Sequence, residues 1–386
     1  MKKLAIITTH PIQYYAPVFK LLHERKKIEI KVFYTLGQQN GDKYDRGFGK
    51  TVSWDIPLLD GYPFEIVLNT SPNPGSHNFK GVVNPKLNEQ ILDWKPDAVL
   101  VYGWAYNGHL RALRYFKNKV PVYFRGDSTL LNESKSIKSA VKHIFLNWLY
   151  KHVDHAFYVG ANNKAYYKEY GLKENQLSFA PHAIDNERFN VGRSAEVAEL
   201  RSSLKIKNDD ILILYAGKFE PVKNVELLVS AFLNLNSDNV HLLLVGNGVD
   251  EQSLKTVAAD GGKADKIHFL SFQNQTYMPV LYQSADLFCL PSVSESWGLS
   301  VNEAMACGKA ILVSDKVGCA ADLVVDVFNG AVFKSSDINS IIEKLELLTA
   351  DKKLLTEYGE RSCTIIKDWN FENMAVEIEK KLNETD

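Results

Sequence analysis

The chain has 386 residues, too many for one ordinary domain and suited to two. With 45% hydrophobic and 24% charged residues and a net charge of −1, the composition excludes a disordered chain, and no nucleic-acid partner is expected. The charge is unevenly spread: residues 1–190 carry 26 basic and 17 acidic side chains, a net of +9, against −10 for the remainder. Two readings of that asymmetry stay open, an anionic partner for the first half and a plain dipole between two domains.

The N-terminus, Met1 to His10, begins like a signal peptide. Its apolar core runs only from Leu4 to Ile7, below the usual length, so the segment reads as a first strand. No apolar run approaches the ~20 residues of a membrane span. Cys289, Cys307, Cys319 and Cys363 show no Cys-x-x-Cys spacing and read as free thiols, mostly buried, in a reducing compartment. The expected location is the cytoplasm, with peripheral contact at the inner face of the membrane as a further option.

Strand-like runs follow at Leu4–Thr8, Glu29–Thr35, Phe64–Leu68, Asp97–Gly103, Pro121–Gly126, His155–Gly160 and Leu177–Ala183. Helical patterns lie between several of them, which predicts a parallel sheet covered on both faces. The stretch from Leu36 to Pro63 breaks the pattern with five glycines among aromatics, and a loop that long in a compact domain is functional or mobile. A helix is predicted over Lys135–Lys151. Its stripe of Ile137, Val141, Ile144, Phe145 and Trp148 is expected to pack on the sheet, with Lys135, Lys138 and Lys142 elsewhere. The alternative is a basic amphipathic helix on an anionic membrane.

The polar stretch Asn190–Asp210 reads as the linker. Beyond it the alternation resumes with strands at Ile211–Gly217, His241–Gly246, Lys266–Phe272, Ala285–Leu290, Ala310–Asp315 and Gly330–Phe333, and Asp337–Leu382 is mostly helical. The predicted architecture is α/β, two doubly wound Rossmann-like domains facing across a cleft. The domains are set at 1–190 and 191–368, with a last helix over 369–386.

Chemistry concentrates in the second half. Ala285 to Ala306 reads as strand, loop and short helix, with seven residues between Glu295 and Glu303. A loop at the carboxyl end of a parallel strand is where ligands sit, and the helix that opens near Leu299 offers backbone N–H groups and the positive end of its dipole. Carboxylates beside an anion site can accept hydrogen bonds from hydroxyl groups, which a nucleotide sugar carries on both ribose and sugar. Earlier, Gly217-Lys-Phe-Glu-Pro-Val-Lys223 follows a strand. A helix is predicted from about Val222, which puts Lys223 in its first turn and Lys218 just before it. Two cations there make sense if an anion is bound. The bland readings are a first-turn acid for Glu303, a solvated loop acid for Glu295 and two surface lysines.

The Glu295–Glu303 segment resembles the E-x(7)-E region of retaining glycosyltransferases of family four, which have the GT-B fold. The resemblance implies that Glu303 binds the donor ribose and Glu295 the donor sugar. It also implies that the main chain of Trp297, Gly298, Leu299 and Ser300 meets the diphosphate. Gly217, Lys218 and Lys223 stand where the family places a basic pair on the diphosphate, here with Lys for the usual Arg. Phe272 matches the strand end that meets the nucleobase through its main chain. In that family the last helix often crosses back to the first domain.

Departures from the pattern lie in the first half. His10-Pro-Ile-Gln-Tyr follows the first strand where many relatives are glycine-rich, so His10 or Gln13 would replace a main-chain contact. Asp127 or Arg125 falls where many relatives have a histidine facing the sugar. Pro181–Phe189 resembles the interdomain segment, and Gly318-Cys-Ala-Ala-Asp-Leu resembles a Gly-Gly-x-x-Glu segment without its second glycine, which is assigned structure only. No Asp-x-Asp occurs, so no metal is expected. A nicotinamide enzyme is disfavoured because no Gly-x-Gly-x-x-Gly follows a strand.

The resemblance therefore implies a metal-independent transferase with no cofactor. Its donor would be a nucleotide sugar, a UDP-sugar first, and its acceptor a glycan or lipid-linked glycan in surface polysaccharide assembly. A non-catalytic nucleotide-sugar-binding regulator and a GT-B epimerase are the alternatives.

Overall fold

A computed structural model describes residues 1–37, 43–45, 50–133 and 136–384. Lys135, the first residue of the expected helix, lies outside the described residues. The strands in chain order are β1 Lys3–Thr8, β2 Glu29–Tyr34, β3 Lys43–Asp45, β4 Lys50–Val52, β5 Phe64–Ile66, β6 Ala98–Tyr102, β7 Val122–Arg125, β8 His155–Tyr158 and β9 Leu177–Phe179, then β10 Ile211–Ala216, β11 Val240–Val245, β12 Ile267–Leu270, β13 Leu287–Leu290, β14 Ala310–Ser314 and β15 Gly330–Phe333. The chain forms two compact units. One comprises Met1–Gly41, Ile56–His182 and Phe371–Asp386, and the other Asp42–Asp55 and Ala183–Asn370.

The first unit holds a seven-stranded sheet in the order β5-β2-β1-β6-β7-β8-β9, every pair parallel. Alternation along β1 divides its core. Ala5 and Ile7 join Phe33, Val99 and Val101 on one face, while Leu4 and Ile6 join Ile30, Val32 and Leu100 on the other. Helices must therefore cover both faces, which is why these strands read as unbroken apolar runs. The C-terminal helix Phe371–Asn383 adds Met374, Ala375, Ile378 and Leu382 to the Leu4 face. Arg25 fastens it there, with its Nε and one terminal nitrogen donating to the two Glu379 oxygens at 2.9 Å each.

The second unit holds a six-stranded parallel sheet, β12-β11-β10-β13-β14-β15. Strand order reverses between β10 and β13, and a switch point of this kind is where open α/β sheets place ligands, at the carboxyl ends of the strands.

Three differences from the sequence reading have physical causes. The chain passes between units at His182–Ala183, whereas the reading set the boundary at 190. Asn190–Asp210 is not a bare linker, because a helix over Ser194–Ser203 buries Leu200 and Arg201 donates to the Ser284 and Asp210 carbonyls within the second unit. The glycine-rich stretch contains the hairpin β3–β4, and Ser53 to Asp55 is hydrogen-bonded to Asn274 and Thr276.

The expected packing of Ile137, Val141 and Ile144 on the sheet is overturned. The helix Ile137–Tyr150 turns Leu146, Leu149 and Tyr150 into the core, where Tyr166, Tyr167 and Tyr170 meet them, and leaves those three aliphatics exposed. At 100° per residue the two apolar faces lie on opposite sides, and only one can be buried. Among the described residues no helix is long and apolar enough to cross a membrane.

Candidate active site

The loops that follow β10, β11, β12, β13 and β14 leave the carboxyl ends of the second sheet, and hydrogen bonds lock them together. The loop after β10 starts at Gly217, whose N–H donates to Val245 O at 3.0 Å. A side chain on Gly246 would place its Cβ 1.9 Å from Gly217 O, and one on Gly248 would come 2.2 Å from Phe219 O. Asn247 between them accepts Phe219 N–H at its carbonyl (2.9 Å) and Phe272 N–H at its Oδ1 (3.0 Å). The Gly246-Asn247-Gly248 turn thus fixes the ends of β10, β11 and β12 to one another. The sequence reading missed it, although paired glycines directly after a strand are a signal of close main-chain approach.

Lys223 sits differently from expectation. The predicted first turn is a 3₁₀ turn over Pro221–Lys223, followed by Asn224 in a left-handed conformation, and the helix proper begins at Val225. Lys223 therefore precedes the helix. Its Nζ forms an ion pair with Glu295 Oε2, which brings together two of the predicted site residues from loops 72 residues apart. Val293 N–H donates to Val222 O at 2.9 Å and holds the same two loops together. Lys218 is positioned through its carbonyl, which accepts the Tyr215 hydroxyl at 2.7 Å. Burial, then the charges of Glu295 and Glu220, push the Tyr215 hydroxyl well above its ordinary pKa, so it stays a donor.

Glu295 is set by a third loop. Its N–H donates to Lys316 O at 3.1 Å, its carbonyl accepts Gly318 N–H at 3.0 Å, and Trp297 O accepts Cys319 N–H at 2.9 Å. A Cβ at Gly318 would lie 1.8 Å from Ser296 O. Gly318 is therefore structural, as the sequence reading has it, and what it positions is the Glu295 loop. Gly298 has φ +99°, the left-handed region that favours glycine, and turns the chain into the helix Leu299–Ala306. That helix leaves its first N–H groups, those of Leu299 and Ser300 among them, without intrahelical acceptors. The Trp297 ring faces inward, buried, with Nε1 donating to Asn302 Oδ1 at 2.9 Å.

Glu303 is only 3% exposed and accepts the Tyr282 hydroxyl at 2.7 Å. The helix Leu299–Ala306 has no acidic residue in its first turn, so Glu303 is not the first-turn acid of the bland reading. Tyr282 was not singled out from sequence, and nothing around it in the sequence marks it. The Phe272 main chain is partly committed, since its N–H is taken by Asn247. Its ring lies 6.3 Å from the Trp54 ring, and the Asn274 amide donates to Ser53 O at 2.6 Å.

In the first unit, His10 and Asp127 follow β1 and β7, and the Thr9 hydroxyl lies 2.9 Å from His10 Nδ1. Arg125, offered as an alternative to Asp127, is buried and donates to Ala180 O (2.7 Å) and Pro181 O (2.9 Å), so it holds the chain leaving β9 instead of facing a ligand. Asp127 lies close enough to Tyr15 to help raise its hydroxyl pKa, after burial. Tyr15 stacks on His182 at 5.9 Å and meets Tyr102 at 4.8 Å.

Residues 196–363, all within the second unit, match the family model of glycosyl transferases group 1. Across the whole chain the fold is similar to that of HepE from Anabaena, solved with UDP and glucose. The TM-score is 0.72 and the identity 15%, covering 99% of this chain and 100% of that one. The two Rossmann-like units are those of the GT-B fold. Among curated relatives, the lipopolysaccharide 1,2-N-acetylglucosaminetransferase of Salmonella typhimurium is 32% identical over 57% of this chain and 59% of that protein. The N,N'-diacetylbacillosaminyl-diphospho-undecaprenol alpha-1,3-N-acetylgalactosaminyltransferase of Campylobacter jejuni is 29% identical over 57% of this chain and 58% of that protein. The chain spans about half the length of the curated relatives it matches.

Proposed function

We propose that this chain is a retaining glycosyltransferase that moves a hexose-type sugar from a nucleoside diphosphate onto a glycan or lipid-linked glycan, in the cytoplasm and in surface polysaccharide assembly. The observation that carries the reading is the Lys223–Glu295 ion pair at the β10–β13 switch point, inside the region that matches the group 1 family. Bond breaking leaves a diphosphate whose growing charge must be stabilised. Lys218, Lys223 and the N–H groups that open the helix at Leu299 supply positive charge there, so the transfer needs no metal or cofactor. The bond from the anomeric carbon to the phosphate oxygen breaks, the acceptor oxygen bonds to that carbon, and its proton leaves with the diphosphate. Glu303 holds the ribose hydroxyls, Glu295 a sugar hydroxyl, and the Phe272 segment faces the base. The Salmonella and Campylobacter relatives, by their names, work on lipopolysaccharide and on an undecaprenol-linked sugar, which favours an acceptor of that class. A UDP-sugar is the first donor to try.

The test is a thermal-shift screen across UDP-, GDP- and ADP-sugars, followed by turnover with and without acceptor. Nucleotide release that requires acceptor supports transfer. Binding without turnover would make the chain a regulator, and conversion of donor alone would make it an epimerase.

A further inference from the structure

The helix Ile137–Tyr150 carries a second apolar face that no described residue of its own unit covers. Ile137 is 86% exposed, Val141 62%, Ile144 71% and Trp148 37%. Single exposed aliphatics are common on any surface and need no explanation. These four recur at i, i+4, i+7 and i+11, so they form one continuous stripe, opposite the Leu146–Leu149 face that enters the core. The helix does not depend on burial of that stripe to start. Ser136 and Ser139 close a capping box, each side chain accepting the other's N–H, at 3.1 and 2.8 Å.

Charge identifies the occupant. The helix and its neighbour Asn107–Phe116 together hold Arg111, Arg114, Lys138 and Lys142, and neither contains an aspartate or glutamate. Arg111, Arg114 and Lys138 are exposed, and the Arg114 guanidinium lies 5.5 Å over the Trp148 ring. Of these four, Lys142 is the one with an ion pair among the described residues, to Glu133 at 2.6 Å. The Arg114–Trp148 contact joins the two helices, and Trp104, in the segment before Asn107, meets Phe145 with ring centres 5.3 Å apart. Aliphatics flanked by an indole and by cations that have no acidic partner among the described residues fit the boundary between anionic headgroups and acyl chains.

We propose that this face docks the protein on an anionic lipid surface, with Ile137, Val141 and Ile144 entering the acyl boundary and Arg111, Arg114 and Lys138 meeting the headgroups. A second copy of the chain fits less well. A helix about 21 Å long with a stripe ~10 Å wide covers roughly 200 Å², against about 800 Å² per partner in a stable interface. A symmetric pair would also set the same cations against each other. The proposal stands apart from the sugar chemistry, because the face lies within the first unit and vesicle binding is measured without turnover.

The test is sedimentation of the full chain with phosphatidylcholine vesicles, with and without phosphatidylglycerol, at low and high NaCl. Binding should require phosphatidylglycerol and weaken with salt. The triple variant I137S/V141S/I144S and the triple variant R111Q/R114Q/K138Q should each lower partitioning by about tenfold or more, with an unchanged circular dichroism melt. The single Ile137→Ser, at the most exposed position, should lower it in the same direction and serves if the triple variant unfolds. Equal sedimentation with neutral and anionic vesicles, or serine variants that bind like the parent, would overturn the proposal. So would a solution dimer that the serine variants return to monomer.

Discussion

Lys223 and Glu295 form an ion pair across the two loops that leave β10 and β13, at the point where the strand order of the second sheet reverses. Each side chain is about four-fifths buried, at 21% and 19% exposure, so the pair is better shielded than a surface salt bridge. It ties the cation that would meet a diphosphate to the carboxylate that would meet a sugar.

Replacing Lys223 with Met should therefore do two things. Turnover should fall by about 10²–10³, the range for losing one preorganised donor at a developing oxyanion, and the Glu295 loop should loosen. A double-mutant cycle of Lys223→Met with Glu295→Gln should show a coupling on the order of 1 kcal/mol in donor affinity. Additive effects would separate the two roles.

Glu303→Ala removes a buried acceptor and, in the proposed function, the ribose contact. Donor affinity should fall by about 1–3 kcal/mol in calorimetry. Tyr282→Phe, which removes only the hydroxyl that orients Glu303, should cost about 0.5–1.5 kcal/mol. Unchanged donor binding in both variants would disprove the ribose assignment.

Gly318→Ala would set a methyl group 1.8 Å from Ser296 O, so the Glu295 loop must shift. The expected cost is about 1–3 kcal/mol of stability, with a larger relative loss of turnover, because the displaced group is the Glu295 segment itself. A chemical melt and a rate measurement on one sample check both.

Activity should persist in EDTA, because the positive charge at the diphosphate is assigned to Lys218, Lys223 and main-chain N–H groups. Abolition by chelation and restoration by Mg²⁺ or Mn²⁺ would show that account to be wrong.

His109 gives the first unit a pH limit. Its Nδ1 faces the carbonyls of Tyr102 (3.0 Å) and Gly103 (3.1 Å), which can only accept, so the proton sits on Nδ1 and Nε2 accepts from the Thr35 hydroxyl at 2.8 Å. Burial lowers its pKa to about 4. The unfolded chain, with a histidine near 6.5, takes up the proton first. Stability is therefore full above pH 6.5 and falls as pH drops toward 4, by on the order of 3 kcal/mol in all. His109→Gln should flatten that part of the stability profile in urea melts.

Much of the architecture was legible before the fold. The apolar runs of β1, β6, β10 and β11 named themselves as strands of parallel sheets because both faces of each are buried, and the only polar interruption within them is His241 in β11. Gly298 and the paired acids Glu295 and Glu303 were readable as a strand–loop–helix site because each residue type meets a local demand of chain geometry. By itself the sequence determined two α/β units and the strand–loop–helix order around Glu295 and Glu303. Only the tertiary structure decided that Lys223 faces Glu295, that Tyr282 meets Glu303, that Arg125 is buried in backbone contacts, and that Ile137, Val141 and Ile144 face solvent. Those pairings join segments far apart in the chain. A helix with two apolar faces also gives no local sign of which one the core will take, since the choice rests on which face fits the aromatic cluster already packed against the sheet.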